Sequence, residues 1–173
     1  MKIPVFVSCP TKLNPTQMAS RNVVMDLLDQ FKMEPRALGR SDYPKTLPLK
    51  EVLIISKHCH GGVILGFEQL LIRDGVWKRG TKGDHGEKSV DPKKPVSLPT
   101  PWNHLEAGIL FGLRLPLLVF REAGIEGGVF DLGTTEVYVH TMPSGKLTSS
   151  RRDELEHVFL KWSASVQTHY ENI

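Results

Sequence analysis

The residues with the clearest chemical potential lie in the segment Trp102-Asn103-His104-Leu105-Glu106. During cleavage of an N-glycosidic bond, a carboxylate can act as nucleophile or can stabilise a cationic sugar. Glu106 could supply that carboxylate, while Trp102 could stack on the base or sugar and Asn103 could orient the ribose hydroxyls. The alternative interpretation of Glu106 is a solvated helix residue that interacts favourably with the helix dipole.

The elements that must position this segment are predicted from their capping residues. Thr100-Pro101 predicts the start of helix three, which should run to about Leu113. Asn14-Pro15, followed by Gln17, predicts a capping box at the start of helix one, and Glu34-Pro35 predicts its end. Strands are predicted at residues 3–8, 36–38, 63–65, 117–120 and 135–140, and further helices at 47–58 and 151–170.

Apolar strands that do not alternate, each followed by a helix, are typical of a parallel sheet covered on both faces. We therefore predict one α/β domain over residues 1–173, a flavodoxin-like (Rossmann-like) three-layer sandwich with a five-stranded, mainly parallel sheet. Residues 69–99 lack helical periodicity and are rich in Gly, Lys, Asp and Pro. They are predicted to be a long insertion between strand three and helix three, with one possible strand pair around 71–78 and a composition that suits a lid.

Ligands of open parallel sheets bind outside the carboxyl ends of the strands, near the point where the strand order reverses. This rule selects the loop after strand one, the residues after strand three, the start of helix three, and Arg121-Glu122. The predicted binding residues are Ser8, Pro10, Thr11, Phe67, Trp102, Asn103 and Arg121. Lys78 and Arg79 of the insertion could neutralise a substrate phosphate if the lid closes, although a solvated loop is the alternative.

Two parts of the sequence resemble a known family. The segment from Trp102 to Gly108, with Phe111-Gly112-Leu113 and Pro116-Leu117-Leu118-Val119, resembles the Glu-x-Gly-x-Ala helix and following strand of the nucleoside 2-deoxyribosyltransferase family and its TIR-like relatives. Val5-Phe6-Val7-Ser8 resembles their first strand. The resemblance implies that Glu106 attacks or stabilises the anomeric carbon, and that Ser8, Pro10 and Thr11 line the site. It also implies a homo-oligomer, with Trp102 or Trp77 as candidates for stacking on adenine.

The composition limits the kinds of partner and the cellular location that we expect for this protein. The net charge of +3 is scattered, which gives little support to a duplex nucleic acid partner. Cys9 and Cys59 fit a reducing compartment, and no apolar run suggests a signal peptide or a membrane span, so we expect a cytoplasmic protein. No cofactor is predicted. Consecutive side chains in His58-Cys59-His60 point in different directions, so no metal site is predicted there.

The sequence therefore predicts an N-glycosidase for a nucleotide or NAD, with Glu106 as its central residue. The main alternative is a binding module of the same fold that senses a nucleotide-derived signal without turnover. A response or electron-transfer module is a third interpretation, although no acidic cluster or flavin loop is evident. Ser8 and Cys9 have no adjacent base, which disfavours a serine or cysteine nucleophile.

Overall fold

A computed structural model describes residues 1–39 and 47–172. Its elements are, in chain order, β1 (Ile3–Ser8), α1 (Pro15–Gln30), β2 (Met33–Arg36), α2 (Pro48–Lys57), β3 (Gly62–Gly66), β4 (Leu70–Ile72), β5 (Val76–Trp77), β6 (Lys88–Ser89), β7 (Val96–Leu98), α3 (Pro101–Gly112), β8 (Leu117–Arg121), β9 (Val139–Thr141) and α4 (Ser149–Glu171). Five strands form an all-parallel sheet in the order β2-β1-β3-β8-β9. The predicted α/β, flavodoxin-like fold class is confirmed.

The sheet is the middle layer of three, because successive side chains of its strands point to opposite faces. In β1, Val5 and Val7 join a core cluster with Phe159 of α4 and the apolar side of α1. Phe6, between them, joins a second cluster with Leu110 of α3 and the apolar side of α2. Both faces of the central strands are therefore buried, which explains the unalternating apolar runs in the sequence.

The capping predictions for α1 and α3 are confirmed. The Gln17 backbone N–H donates to Asn14 Oδ1 at 2.9 Å, and the Asn14 N–H donates to Gln17 Oε1 at 3.2 Å, so both halves of the capping box are present. Thr100 Oγ1 accepts a hydrogen bond from the Trp102 N–H, with Pro101 in the first turn. The carboxyl edge of the sheet therefore has two helices that start where the sequence predicts.

The end of α1 and the position of β2 differ from the prediction. The helix ends at Gln30 rather than near Glu34-Pro35, because Lys32 adopts a left-handed φ of 57° and turns the chain into β2. The strand then occupies Met33–Arg36 rather than residues 36–38. Pro35 lies opposite Val5 in an edge strand, the position in a sheet where a proline is tolerated.

The last strand is also shorter than predicted. β9 covers only Val139–Thr141, whereas the sequence predicted residues 135–140. Glu136 adopts a left-handed φ of 57°, which interrupts the extended backbone before the ladder with β8 begins. As a result β9 pairs only with the last three residues of β8.

The insertion contains two antiparallel pairs of short strands, each forming a β-ladder. β4 pairs antiparallel with β7, and β5 pairs antiparallel with β6. Two short strands do lie around residues 71–78 as predicted, but the prediction that they form a pair is wrong, since each of them pairs with a later segment. The Val90 N–H donates to the Gly75 carbonyl at 2.8 Å, next to the Val76–Ser89 pair, and so continues the ladder between β5 and β6. Among the helices of the described ranges, none combines the length and apolar character that a membrane span requires.

Candidate active site at the carboxyl edge of the sheet

Glu106 is the sixth residue of α3 and lies in a cleft beside the end of β1. The cleft has a volume of about 180 Å³ and is lined by Cys9, Pro10, Thr11, Leu38, Thr100, Trp102 and Glu106. Four residues predicted from the sequence are thus brought together: Pro10, Thr11, Trp102 and Glu106. Their position follows the rule that sites on this fold form outside the carboxyl ends of the strands.

The Glu106 side chain is partly buried, and burial raises its pKa from 4.5 to about 7. The carboxylate would otherwise be favoured by a hydrogen bond from Ser8, which lowers the pKa. The helix dipole also favours a negative charge, but it acts mainly within the first turn. Desolvation therefore dominates, and near neutral pH the group can both hold and release a proton.

Ser8 and Asn103 form a buried polar connection behind Glu106. Both residues are fully buried, and Asn103 Nδ2 donates to Ser8 Oγ at 2.7 Å. The Ser8 hydroxyl is thereby free to donate its own proton to the Glu106 carboxylate, the interaction that lowers its pKa. In this arrangement Asn103 positions Ser8. The prediction from the sequence was that Asn103 orients the ribose hydroxyls. Asn103 Oδ1 is buried and has no hydrogen-bond partner within the described residues.

Two other predicted binding residues lie away from the cleft. Phe67 is fully buried in the core cluster formed with α1 and α4. Arg121 Nη1 donates to the carbonyl oxygens of Ile125 and Phe130, each at 3.0 Å. Arg121 thus holds the loop after β8 in place.

A second polar network at the same edge was not identified from the sequence. Gln17 Nε2 donates to Glu122 Oε2 at 3.0 Å and to the Glu68 carbonyl at 3.1 Å. Glu122 Oε2 also accepts from the Glu68 N–H at 2.6 Å, and Glu68 Oε2 accepts from Ser97 Oγ at 2.5 Å. The network links α1, the ends of β3 and β8, and the base of the insertion. In the sequence, a glutamate follows shortly after each of two buried strands, and this pattern could have indicated the network.

The candidate lid residues lie on the insertion outside this cleft. Trp77 is in β5 and about half exposed, and Lys78 Nζ donates to the His85 carbonyl at 2.7 Å. The residues that line the cleft, taken from the described ranges, include none from 69–99. The described insertion is therefore adjacent to the sheet edge through Ser97 but does not cover Glu106.

The three side chains of His58, Cys59 and His60, just before β3, lie in three different surroundings. His58 Nδ1 lies 2.8 Å from the Ile54 carbonyl, Cys59 is buried in the core, and the His60 ring packs edge-on against Tyr170. Within residues 1–39 and 47–172, no group of three or more His, Cys, Asp and Glu side chains is arranged to hold a metal ion.

Comparison with protein-family models, curated proteins and solved structures gives no match for this chain. Because a fold of this kind carries many unrelated activities, a function for this protein has to be argued from its site. The features that bear on it are the Glu106 carboxyl, its Ser8 and Asn103 support, and the cleft walls.

Proposed function

We propose that the chain is an N-glycosidase that cleaves the N-glycosidic bond of a nucleotide or of NAD. The observation that carries the proposal is Glu106, a carboxyl group with a pKa of about 7 that lines a cleft at the carboxyl edge of the sheet. The resemblance of its helix to that of the deoxyribosyltransferase and TIR-like families suggests the same role. The cytoplasmic location expected from the cysteines is compatible with either substrate.

In the proposed reaction, a Glu106 oxygen forms a bond to the anomeric carbon as the carbon–nitrogen bond breaks and its electron pair moves to the departing base. The sugar carries positive charge at the transition state, and a nearby carboxylate stabilises that charge. A cationic substrate also favours the ionised form of Glu106. Water then attacks the anomeric carbon, releases the carboxylate, and passes one proton to solvent as it becomes the sugar hydroxyl.

The cleft lining favours a pyridinium leaving group over a neutral nucleobase. A neutral base needs a proton as it departs, which is usually supplied by a second acid. Among the described lining residues Glu106 is the only carboxylic acid, and none is histidine or lysine. The positively charged nicotinamide of NAD becomes neutral when it takes the electron pair, so it needs no proton. NAD therefore fits the single carboxyl group better than a purine or pyrimidine nucleotide does.

The size of the cleft limits how much of such a substrate it encloses. Its volume of about 180 Å³ is below the roughly 300 Å³ at which ligand pockets usually begin. We expect the cleft to hold the reacting ribose and its base, while the rest of a dinucleotide lies along the sheet edge. Trp102 is 40% exposed at the cleft wall and can present its ring to an aromatic base.

The small volume also favours the second candidate, a binding module that senses a nucleotide-derived ligand without turnover. One carboxyl group without a second acid or base in the described lining is sufficient for recognition. The two candidates differ in what replacement of Glu106 by glutamine does. An enzyme loses turnover and keeps ligand affinity, whereas a sensor has no turnover to lose.

The test is to incubate the purified chain with NAD, nucleoside monophosphates and deoxynucleosides, and to measure released base by mass spectrometry. Glu106→Gln and the control Glu126→Gln, an exposed loop carboxylate, are assayed in parallel. We expect nicotinamide release that is lost in Glu106→Gln and kept in Glu126→Gln, with NAD affinity similar in all three proteins. Equal release by wild type and Glu106→Gln would refute the proposed catalytic role of Glu106. Binding without release from any substrate would favour the sensor.

A further inference from the structure

Strand β8 has an unpaired stretch on the side that faces β9. All five of its residues pair with β3 on the other side, whereas β9 pairs only with the last three. Glu136, with its left-handed φ of 57°, interrupts the extended backbone that would otherwise continue the ladder. The first two residues of β8, Leu117 and Leu118, therefore have no neighbouring strand on this side.

The polar groups that face the gap are the backbone N–H and C=O of Leu117. In a strand of a parallel sheet, these groups point to one neighbouring strand and then to the other in successive residues. The Pro116 carbonyl accepts from the Gly62 N–H at the start of β3, at 2.9 Å. The Arg121 carbonyl accepts from the Met142 N–H, just after β9, at 2.7 Å. By this alternation the N–H and C=O of Leu117 point to the β9 side, as those of Arg121 do.

The two backbone groups of Leu117 have no hydrogen-bond partner on the β9 side within residues 1–39 and 47–172. Leu117 is nevertheless only 7% exposed. A buried N–H or C=O without a partner costs free energy comparable to a lost hydrogen bond, and such groups are rare in folded proteins. A molecule that offers one acceptor and one donor at the gap therefore gains two hydrogen bonds that the isolated chain leaves unmade.

Two cavities flank the gap, one on the α4 face of the sheet and one on the α3 face. Their volumes are about 610 Å³ and about 620 Å³, within the range of roughly 300–1,000 Å³ that is usual for ligand pockets. Trp162 lines the first cavity, Phe111 lines the second, and Pro116, Leu117 and Val137 line both. We call them the α4 cavity and the α3 cavity, and together with Leu117 they form the β8 edge.

We propose that the β8 edge binds an extended segment of another protein, which adds a short strand beside Leu117. The Leu117 N–H then donates to a carbonyl of the segment, and the Leu117 carbonyl accepts from one of its N–H groups. Because successive side chains of a strand point to opposite faces of the sheet, neighbouring side chains of the segment enter the two cavities in turn. A small molecule confined to one cavity would leave the other empty, whereas an extended peptide fills both.

The cavity linings indicate a segment that is apolar and acidic. Each cavity has one exposed aromatic side chain and one exposed basic side chain: Tyr138 and Lys161 at the α4 cavity, and Phe111 and Arg114 at the α3 cavity. Aromatic residues and arginine are enriched in protein interfaces. Glu136 offsets the charge of Arg114 at the α3 cavity.

At the α4 cavity, Lys161 is the only charged side chain of the described lining, since burial lowers the pKa of His140 below its usual 6.5. Lys161 forms no salt bridge within the described ranges. An acidic residue of the segment can therefore pair with Lys161 without competition. We expect two adjacent large apolar residues in the segment, one for each cavity, with an acidic residue close to them.

The β8 edge is separate from the candidate active site. Strand β3 lies between β1 and β8 in the sheet, and the described linings of the two cavities share no residue with the cleft that contains Glu106. Binding at the β8 edge is therefore expected whether or not Glu106 cleaves a glycosidic bond.

The first measurement is amide hydrogen exchange of the full chain, followed by NMR. Leu117 and Val119 both face the β9 side, but only Val119 belongs to the ladder with β9. We expect the Leu117 N–H to exchange at least about a hundred-fold faster than the Val119 N–H. Equal protection of the two would overturn the proposal, because residues before β9 or a second copy of the chain would then close the gap.

The second measurement uses a random peptide library displayed on phage, selected against the purified full chain. We expect selected peptides to contain adjacent large apolar residues and an acidic residue, and their synthetic forms to slow amide exchange at Leu117. N-methylation of the peptide nitrogen that donates to the Leu117 carbonyl should raise the dissociation constant at least about tenfold. A selection that yields no peptide, or peptides that leave exchange at Leu117 unchanged, would overturn the proposal.

Matched variants locate the binding site. Ser165→Trp fills the α4 cavity, whereas Ala164→Trp adds the same side chain to α4 outside both cavities. Both positions are exposed, so both variants should keep the circular dichroism spectrum of wild type. We expect Ser165→Trp to raise the dissociation constant of a selected peptide at least about tenfold, with little change in Ala164→Trp. Equal binding by the two variants would show that the peptide binds elsewhere and would overturn the proposal.

A charge reversal tests the acidic part of the segment. Lys161→Glu should raise the dissociation constant of an acidic peptide about threefold, because exposed ion pairs contribute little. Lys57→Glu makes the same change at an exposed position on α2, outside both cavities. Equal effects of the two variants would overturn the assignment of an acidic residue to Lys161.

Discussion

Replacing Glu106 by glutamine should make the stability of the protein less sensitive to pH. Burial raises the pKa of Glu106 to about 7 in the folded protein, against 4.5 for an ordinary carboxyl group. The folded state therefore binds the Glu106 proton more tightly than the unfolded chain does. The contribution of this group to the free energy of unfolding falls as pH rises from 4.5 and levels off above about 7.

The magnitude follows from the two pKa values. Integrating the difference in bound protons between about pH 5 and about pH 8 gives a loss of about 2–3 kcal/mol in wild type. Glutamine has the shape of the protonated acid and cannot ionise. Across this interval Glu106→Gln should therefore gain about 2–3 kcal/mol in unfolding free energy relative to wild type, or roughly 5–10 °C in Tm for a domain of this size.

The assay is urea unfolding of wild type, Glu106→Gln and Glu126→Gln at several pH values. All other groups contribute equally to wild type and Glu106→Gln, so the difference between their unfolding free energies isolates Glu106. Glu126→Gln shows what the loss of an exposed carboxylate does by itself. The reasoning would be refuted if the difference in unfolding free energy between wild type and Glu106→Gln stays constant with pH. It would also be refuted if that difference matches the one between wild type and Glu126→Gln, because burial would then not raise the pKa of Glu106.

Two further predictions concern Ser8, behind the cleft, and Arg121, at the end of β8. Ser8→Ala removes the hydrogen bond that lowers the pKa of Glu106, so this pKa should rise above about 7. The measurement is the difference in unfolding free energy between Ser8→Ala and the double variant Ser8→Ala/Glu106→Gln, whose midpoint in pH should shift upward. An unchanged midpoint would contradict the hydrogen bond. Arg121→Ala removes the donors to the Ile125 and Phe130 carbonyls and should lower the free energy of unfolding by about 2–3 kcal/mol. Amide hydrogen exchange in the loop after β8 should become faster. Exchange as slow as in wild type would show that the loop does not depend on Arg121.

The starts of α1 and α3 were predicted correctly because their capping side chains form hydrogen bonds with residues nearby in the sequence. The Asn14–Gln17 capping box and the Thr100 cap are short-range interactions, so their residues can be recognised from spacing. The strand ends were misplaced at Lys32 and Glu136, whose left-handed backbone has no marker such as glycine in the sequence. Chain reversals that use ordinary residues are set by the packing around them.

The candidate site was predictable in its place but not in the direction of its side chains. The rule for parallel sheets selected the right loops, and Pro10, Thr11, Trp102 and Glu106 do line one cleft. Burial of Asn103 depends on the buried Ser8, which is distant in sequence. The bond from Gln17 to Glu122 likewise joins the start of α1 to the end of β8. Such pairs become visible only when the sheet brings its strand ends together.

The ladder between β4 and β7 also has a consequence for how the chain assembles. Strand β8 pairs with β3 across the whole insertion and α3, and closing a longer flexible loop costs more conformational entropy. Because β4 and β7 are antiparallel and close the insertion at its base, the end of β3 and the start of α3 can be held together before β8 docks. With its base closed, the segment between β4 and β7 then acts kinetically as a short connection, and the search that β8 faces is little longer than in a sheet without the insertion.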